Sequence, residues 1–179
     1  SGTYSSACFA ADQVGGNIRV VDSMTIGAGM HLLVDEAVNM VKCGLSAEEI
    51  VGHLDRLKQK IGIVFTVESL DRLVFGGRMM SPKAKTTLNL RPVYAKGKIF
   101  FKNNARGARE RLEEMVSLVP ENTRRLIVCR CGEETDVSEF TQMLKEKLPA
   151  VHIHQRVVGP VLSIHVDAGA FGAAYVLKD

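Results

Sequence analysis

Val161-Leu162-Ser163-Ile164-His165-Val166-Asp167-Ala168-Gly169-Ala170-Phe171-Gly172 is the stretch around which the rest of the chain is organised. A short apolar run, which predicts a strand, carries one histidine and gives way to small residues. Gly169 and Gly172 allow a close backbone approach or a positive φ angle. Residues 173–177 (AAYVL) predict a closing strand. His165 either binds or titrates a small ligand beside this loop, or is simply hydrogen-bonded at a strand end.

Length and composition allow one sizeable domain or two small ones. The chain has 179 residues, 46% of them apolar, and a net charge of +3. These values exclude a disordered or collagen-like chain, and no apolar stretch is long enough to span a membrane. The spread of basic residues does not predict nucleic-acid binding. Four scattered cysteines, without a signal peptide, predict a cytoplasmic protein rather than a disulfide framework.

The N-terminal half predicts an α/β layer with parallel strands. Its expected elements are a helix from an N-cap at Ser1 to Val14, a buried strand at 17–21, a helix at 30–41, a helix opened by a capping box at 46–49, a strand at 63–67 and a short helix at 69–73. Two strands make a very small sheet, and the sequence opens inside a helix without methionine. We therefore expect that upstream sequence is missing.

The pattern changes near Ser81-Pro82, which divides the chain into a remaining N-terminal α/β domain, 1–80, and a C-terminal α+β domain, 81–179. The second domain is expected to be a sandwich with its helices on one face. Its predicted elements are a hairpin around Lys96-Gly97-Lys98, a helix at 108–118, a strand at 125–129, a helix at 137–148, a strand at 151–158 and the two strands around His165.

Few motifs in the sequence point to catalysis or metal binding. Two motifs each place two possible metal ligands on one face of a strand: Cys129-Arg130-Cys131 and His152-Ile153-His154. A zinc site of the usual kind needs a second pair of ligands, and neither motif has one, so we predict no metal site. Phe75-Gly76-Gly77-Arg78 lacks the ending of a phosphate-binding loop, and there is no Gly-x-Ser-x-Gly elbow. The basic residues that precede and open the helix at 108–118 either meet a phosphate or form a solvated helix start; they are Lys102, Arg106, Arg109 and Arg111.

Several short motifs, taken in order along the sequence, resemble those of the DegV family of bacterial fatty-acid-binding proteins. They are Ser1-Gly2-Thr3-Tyr4-x-Ser6-Ala7, Val21-Asp22-Ser23, Gly44-Leu45-Ser46-x-Glu48-Glu49-Ile50, Leu70-x-x-Leu73-x-x-Gly76-Gly77-Arg78, Leu90-Arg91-Pro92-Val93 and the His165 loop. Their order and spacing extend over the whole chain. The resemblance therefore implies a DegV-like two-domain α/β fold.

The resemblance also implies a function. Family members bury a long-chain fatty acid in a tunnel between two domains and have no catalytic activity or cofactor of their own. They present the carboxyl group of the fatty acid to an ATP-binding kinase subunit, which makes acyl phosphate for phospholipid synthesis. By this resemblance, the carboxylate is bound by Ser1, Gly2, Thr3 and His165, and Arg106 serves the kinase partner. Candidate tunnel residues, for which ordinary core packing is the alternative, are Ala84, Leu88, Leu90 and Val93.

Three features depart from the family pattern. The family's upstream section, with another carboxyl-binding hydroxyl, is absent; Asp167 stands where a glycine is usual, which would weaken anion binding; and the basic loop at 103–107 is looser. Two other functions stay open. One is a small-molecule transferase or hydrolase with His165 as base and Asp167 as its orienter. The other is a regulatory module that has kept the fold and lost the ligand.

Overall fold

In a computed structural model, the described strands form one six-stranded sheet. The residues described are 2–67, 75, 90–95, 98–104, 107–166 and 168–178. The strands are β1 (Ile61–Thr66), β2 (Leu90–Ala95), β3 (Lys98–Asn104), β4 (Thr123–Arg130), β5 (Ile153–Val157) and β6 (Phe171–Leu177). They lie in the order β3-β2-β1-β6-β4-β5, with β4 and β5 parallel and the other neighbours antiparallel. The mixed α/β class that the sequence predicts is therefore confirmed.

Most predicted helices form close to their expected positions. The described helices are α1 (Gly2–Val14), α2 (Gly27–Lys42), α3 (Ala47–Leu57), α4 (Ala108–Ser117), α5 (Ser138–Lys147) and α6 (Pro160–Ser163), with a 3₁₀ turn at Lys58–Lys60. The short helix predicted at 69–73 lies outside the described residues. Within the described part of the chain, no helix combines the length and apolar character needed to cross a bilayer.

Helices cover both faces of the sheet. Successive strand residues point to opposite sides, and the central strands carry apolar side chains on both sides. On one face Val64, Leu126 and Val128 pack against α4 and α5. On the other face Ile63 and Ile127 pack against α2 and α3. Helices α4 and α5 of the C-terminal half thus share one face, as predicted, and α2 and α3 cover the opposite face of the same sheet.

The capping box predicted at the start of α3 is present. The Ser46 hydroxyl accepts a hydrogen bond from the Glu49 amide at 3.3 Å, and the Ser46 amide donates to Glu49 Oε2 at 2.8 Å. Hydrogen bonds from the Ser46 hydroxyl and then from its amide lower the pKa of Glu49. Two otherwise unpaired donors of the first turn are satisfied in this way, which explains where α3 begins.

Two expectations for the N-terminal half are wrong. β1 is antiparallel to both of its neighbours, so the predicted parallel layer does not form around it. Residues 17–21 have no strand structure, because a strand needs a partner for its backbone groups and no described strand pairs with this segment. The domain boundary near Ser81-Pro82 lies outside the described residues and stays a prediction; the sheet contains β1 from before it and five strands from after it.

The apolar run before His165 is also not the predicted strand. Residues Pro160–Ser163 form the short helix α6, with Pro160 at its first position and Gly159 in an extended conformation before it. Proline favours this position because its φ angle suits a helix and its missing N–H would be unpaired there. The Ile164 amide donates to the Pro160 carbonyl at 3.1 Å, so the chain turns where periodicity alone predicts extension.

Candidate ligand cavity

An apolar cavity lies between the sheet and the start of α2. It has about 440 Å³ of empty space, part of which is open to solvent. Its lining residues come from the ends of three strands, from α2 and from the α6 turn: Ile26, Gly27, Ala28, Ile63, Phe65, Thr66, Cys129, Arg130, Cys131, Val158, Leu162, Val166, Ala170 and Phe171.

The floor of the cavity is built by strand register. Phe65 of β1 and Cys129 of β4 both lie opposite Gly172 of β6. A Cβ on Gly172 would overlap the Val64 carbonyl oxygen and lie 2.6 Å from Phe65 Cβ. Glycine is therefore required for β1 and β6 to approach this closely, and its bare backbone leaves space above the sheet.

The roof is the first turn of α2. Before it, the Met24 amide donates to Asp22 Oδ1 at 3.0 Å, a turn in which Met24 itself adopts a φ of 50°. Gly27, the first helical residue, has the same positive φ, and a Cβ there would lie 3.1 Å from Leu162 Cδ2. The absence of a side chain at Gly27 thus lets α2 begin directly above the cavity and against the α6 turn.

The stretch around His165 forms another side of the cavity. Leu162 and Val166 line the cavity, and half-buried His165 lies between them in the turn, where its amide donates to the Leu162 carbonyl at 2.9 Å. Gly169 follows with a φ of 92°. The chain then joins the end of β4, because the Cys131 amide donates to the Ala170 carbonyl at 2.7 Å. The predicted loop of small residues is present and borders this cavity.

The cavity is suited to an apolar ligand rather than to ionic chemistry. Burial raises the pKa of the Cys129 thiol to about 11, so the thiol is neutral near pH 7. The Arg130 guanidinium is directed to Glu133, with an Nη2 to Oε2 distance of 2.9 Å. Among the described residues, no group of three or more metal-binding side chains converges on one point.

The structure describes only part of the predicted carboxylate and tunnel set. Gly2 and Thr3 are exposed in the first turn of α1, a helix without buried residues, and His165 is half-buried in the turn between the lining residues Leu162 and Val166. Leu90 and Val93 lie on β2. The predicted residues outside the described ranges are Ser1, Ala84, Leu88, Arg106 and Asp167. The carboxylate, tunnel and kinase roles of all these residues stay predictions.

Sequence reasoning missed the central part of the cavity. Cys129 and Cys131, considered as a metal pair, both line it, whereas His152 and His154 are exposed with ring centroids 4.4 Å apart. The cavity residues come from segments far apart in the sequence, and the spacing of apolar residues within one segment does not predict which distant segments will pack together. The small residues at 27–29 and Gly172 were the available signal, because a helix start with small side chains can leave space above a bare strand.

A helix-covered α/β sheet that encloses an apolar cavity defines a class of protein able to hold an apolar small molecule. Residues 1–178 match the family described as "Uncharacterised protein, DegV family", and the chain belongs to that family. The resemblance found in the sequence is thereby confirmed. A DegV domain-containing protein of Staphylococcus aureus strain COL is 28% identical over 187 residues, covering 99% of this chain and 67% of the relative.

Solved structures show the same fold. A DegV family protein from Thermus thermophilus, described for its fatty acid binding, is 28% identical with a TM-score of 0.85, over 99% of this chain and 67% of the other. The Streptococcus pneumoniae fatty acid kinase B3 protein, solved with linoleic acid, has a TM-score of 0.84 at 24% identity, over 99% of this chain and 68% of the other. At 24% identity, the similarity to the Streptococcus pneumoniae protein shows only that the two chains share a fold.

Proposed function

We propose that this chain binds a long-chain fatty acid, with the methyl end in the apolar cavity and the carboxyl group towards the turn that carries His165. The observation that carries the proposal is the cavity itself, since it is lined by apolar side chains, among them Leu162 and Val166 on either side of His165 in the sequence. The fatty acids bound by relatives of the same fold support the same ligand class.

Burial of an acyl chain supplies the driving force. Each methylene removed from water contributes about 0.8 kcal/mol, so ten buried methylenes contribute about 8 kcal/mol before the costs of association. The neutral Cys129 thiol and the aliphatic side chains of Ile26, Ile63 and Leu162 offer suitable contacts. No covalent step is needed for this role.

The carboxylate requires polar partners, because a buried charge without hydrogen bonds is costly. We assign this task to the Ser1 hydroxyl, the Gly2 and Thr3 amides and His165. The first turn of α1 contains no acidic residue, so the Gly2 and Thr3 amides and the helix dipole favour an anion there. The tunnel beyond the described cavity is proposed to include Ala84, Leu88, Leu90 and Val93.

The wider role is that of a non-catalytic subunit that works in the cytoplasm. In this proposal the bound acid is presented to an ATP-binding fatty acid kinase subunit, which forms the acyl phosphate. Arg106 is the residue proposed to serve that partner. Support comes from the Streptococcus pneumoniae protein of the same fold, whose name places it in a fatty acid kinase.

Native mass spectrometry tests the binding role. The delipidated chain is mixed with oleic acid, and we expect a mass increase equal to one fatty acid. His165→Ala should reduce the bound fraction, because the carboxylate loses a partner at the cavity mouth. His152→Ala is the matched control, since His152 is an exposed histidine beside the edge strand β5. A wild-type chain that stays ligand-free with every fatty acid offered, including in a form extended upstream, would contradict the proposal.

A further inference from the structure

One row of residues crosses the cavity floor. This row consists of Phe65, Gly172 and Cys129, which lie side by side on β1, β6 and β4. We propose that Cys129 sets the length of acyl chain that the cavity accepts, an inference that rests on the proposed fatty acid binding. The residue is thus a specificity determinant and takes no part in holding the carboxylate.

Strand register gives the cavity a direction. The next inward row contains Ile63, Ala174 and Ile127. Ala174 and Ile127 are 0% and 2% exposed and belong to the core under α2, so the cavity ends there at Ile63. The α6 turn, which precedes His165, borders the outward side through Leu162. An acyl chain that enters from the His165 side therefore passes Cys129 before it reaches the inner end.

Cys129 is the position in its row where side-chain size can vary. Gly172 accepts no side chain, because a Cβ would overlap the Val64 carbonyl oxygen. Phe65 already fills its place with a large ring. A larger side chain at 129 would narrow the cavity one row before Ile63, since Cys129 lies one row outward of that inner end.

The thiol at this position acts through its size. Its pKa is raised to about 11 by burial, which keeps it uncharged. Its S–H donates only a weak hydrogen bond to the Gly172 carbonyl, with a sulfur to oxygen distance of 3.6 Å. An uncharged cysteine in apolar surroundings behaves as a small apolar residue. Replacement by alanine or leucine therefore changes the space above the floor without removing a charge.

Competition binding across a series of saturated fatty acids from 12 to 18 carbons tests the proposal. Cys129→Leu adds two non-hydrogen atoms to the side chain, and we expect the preferred chain to become about two methylenes shorter. Each methylene that no longer fits should weaken Kd about fourfold, from about 0.8 kcal/mol per methylene and tenfold per 1.4 kcal/mol. Cys129→Ala should shift the preference towards longer chains.

Cys43→Leu is the matched control, because Cys43 is exposed at the end of α2 and the same substitution there leaves the cavity unchanged. Thermal unfolding without ligand verifies that each variant is folded, and Cys129→Ala keeps the test valid if leucine prevents folding. A folded Cys129 variant with the wild-type length profile, or with equal loss at every length, would overturn the proposal. Failure of wild-type protein to bind any fatty acid would instead contradict the proposed function.

Discussion

Replacing Gly172 by alanine tests how closely the two central strands approach. Gly172 lies on β6 opposite Phe65 of β1. The added methyl would overlap the Val64 carbonyl oxygen and lie 2.6 Å from Phe65 Cβ and 2.8 Å from Phe65 Cα. These neighbours are backbone atoms or atoms attached to the backbone of a paired strand. They have no rotamer that relieves the overlap, so β1 and β6 would have to separate.

The expected loss of stability follows from this geometry. Overpacking a core by one methyl costs about 1–3 kcal/mol, and rigid neighbours place this site at the upper end. Alanine recovers about 0.4–1 kcal/mol by restricting the unfolded chain. We therefore expect a net loss of about 2–3 kcal/mol in the free energy of unfolding. For a protein of this size, that corresponds to a fall in Tm of about 4–12 °C.

Urea denaturation followed by circular dichroism measures the loss directly as a lower midpoint with an unchanged slope. Gly2→Ala is the control, because Gly2 lies in the first turn of α1 and a Cβ there meets nothing within 4 Å. This control should match wild type within about 0.5 kcal/mol. A Gly172→Ala midpoint equal to that of Gly2→Ala would refute the close strand approach and, with it, the account of the cavity floor.

Two further predictions concern single side chains. Ser46→Ala should lower the free energy of unfolding by about 1 kcal/mol at pH 7, as urea denaturation would measure. Since folding lowers the pKa of Glu49, its contribution is present above the unfolded pKa and is lost as the pH falls through the folded pKa, so the difference between variant and wild type should shrink in acid. At pH 8 the half-buried Cys129 thiol, with a pKa of about 11, should resist iodoacetamide while exposed Cys43 reacts. Peptide mass mapping measures both sites, and equal modification of the two cysteines in folded protein would contradict the raised pKa of Cys129.

Local signals in the sequence predicted most elements of the fold correctly. α2 and α5 follow from helical spacing of apolar residues, α3 from its capping box, and the β2–β3 hairpin from Lys96-Gly97-Lys98 between two apolar runs. These features depend on interactions within a few residues along the chain, which is why they could be recognised without tertiary information. The capping box is an example, since both of its hydrogen bonds lie within Ser46–Glu49.

Strand pairing was beyond the reach of the same reasoning. The run before His165 has strand-like composition, but Pro160 begins a helical turn there. Residues 17–21 also have strand-like composition, yet no described strand supplies hydrogen bonds to them. A strand is stable only with a neighbour, so its existence depends on residues distant in the chain.

By itself, the sequence determined the mixed α/β class, the bounds of most helices and the position of the small-residue loop after His165. Only the tertiary structure decided that β1 lies between β2 and β6, and that Phe65, Gly172 and Cys129 form one row of a cavity floor. The physical reason is the distance along the chain over which the stabilising interactions act. Helix caps and turns are set by neighbouring residues, whereas a cavity is the space left when distant segments pack, and its shape depends on every side chain that borders it.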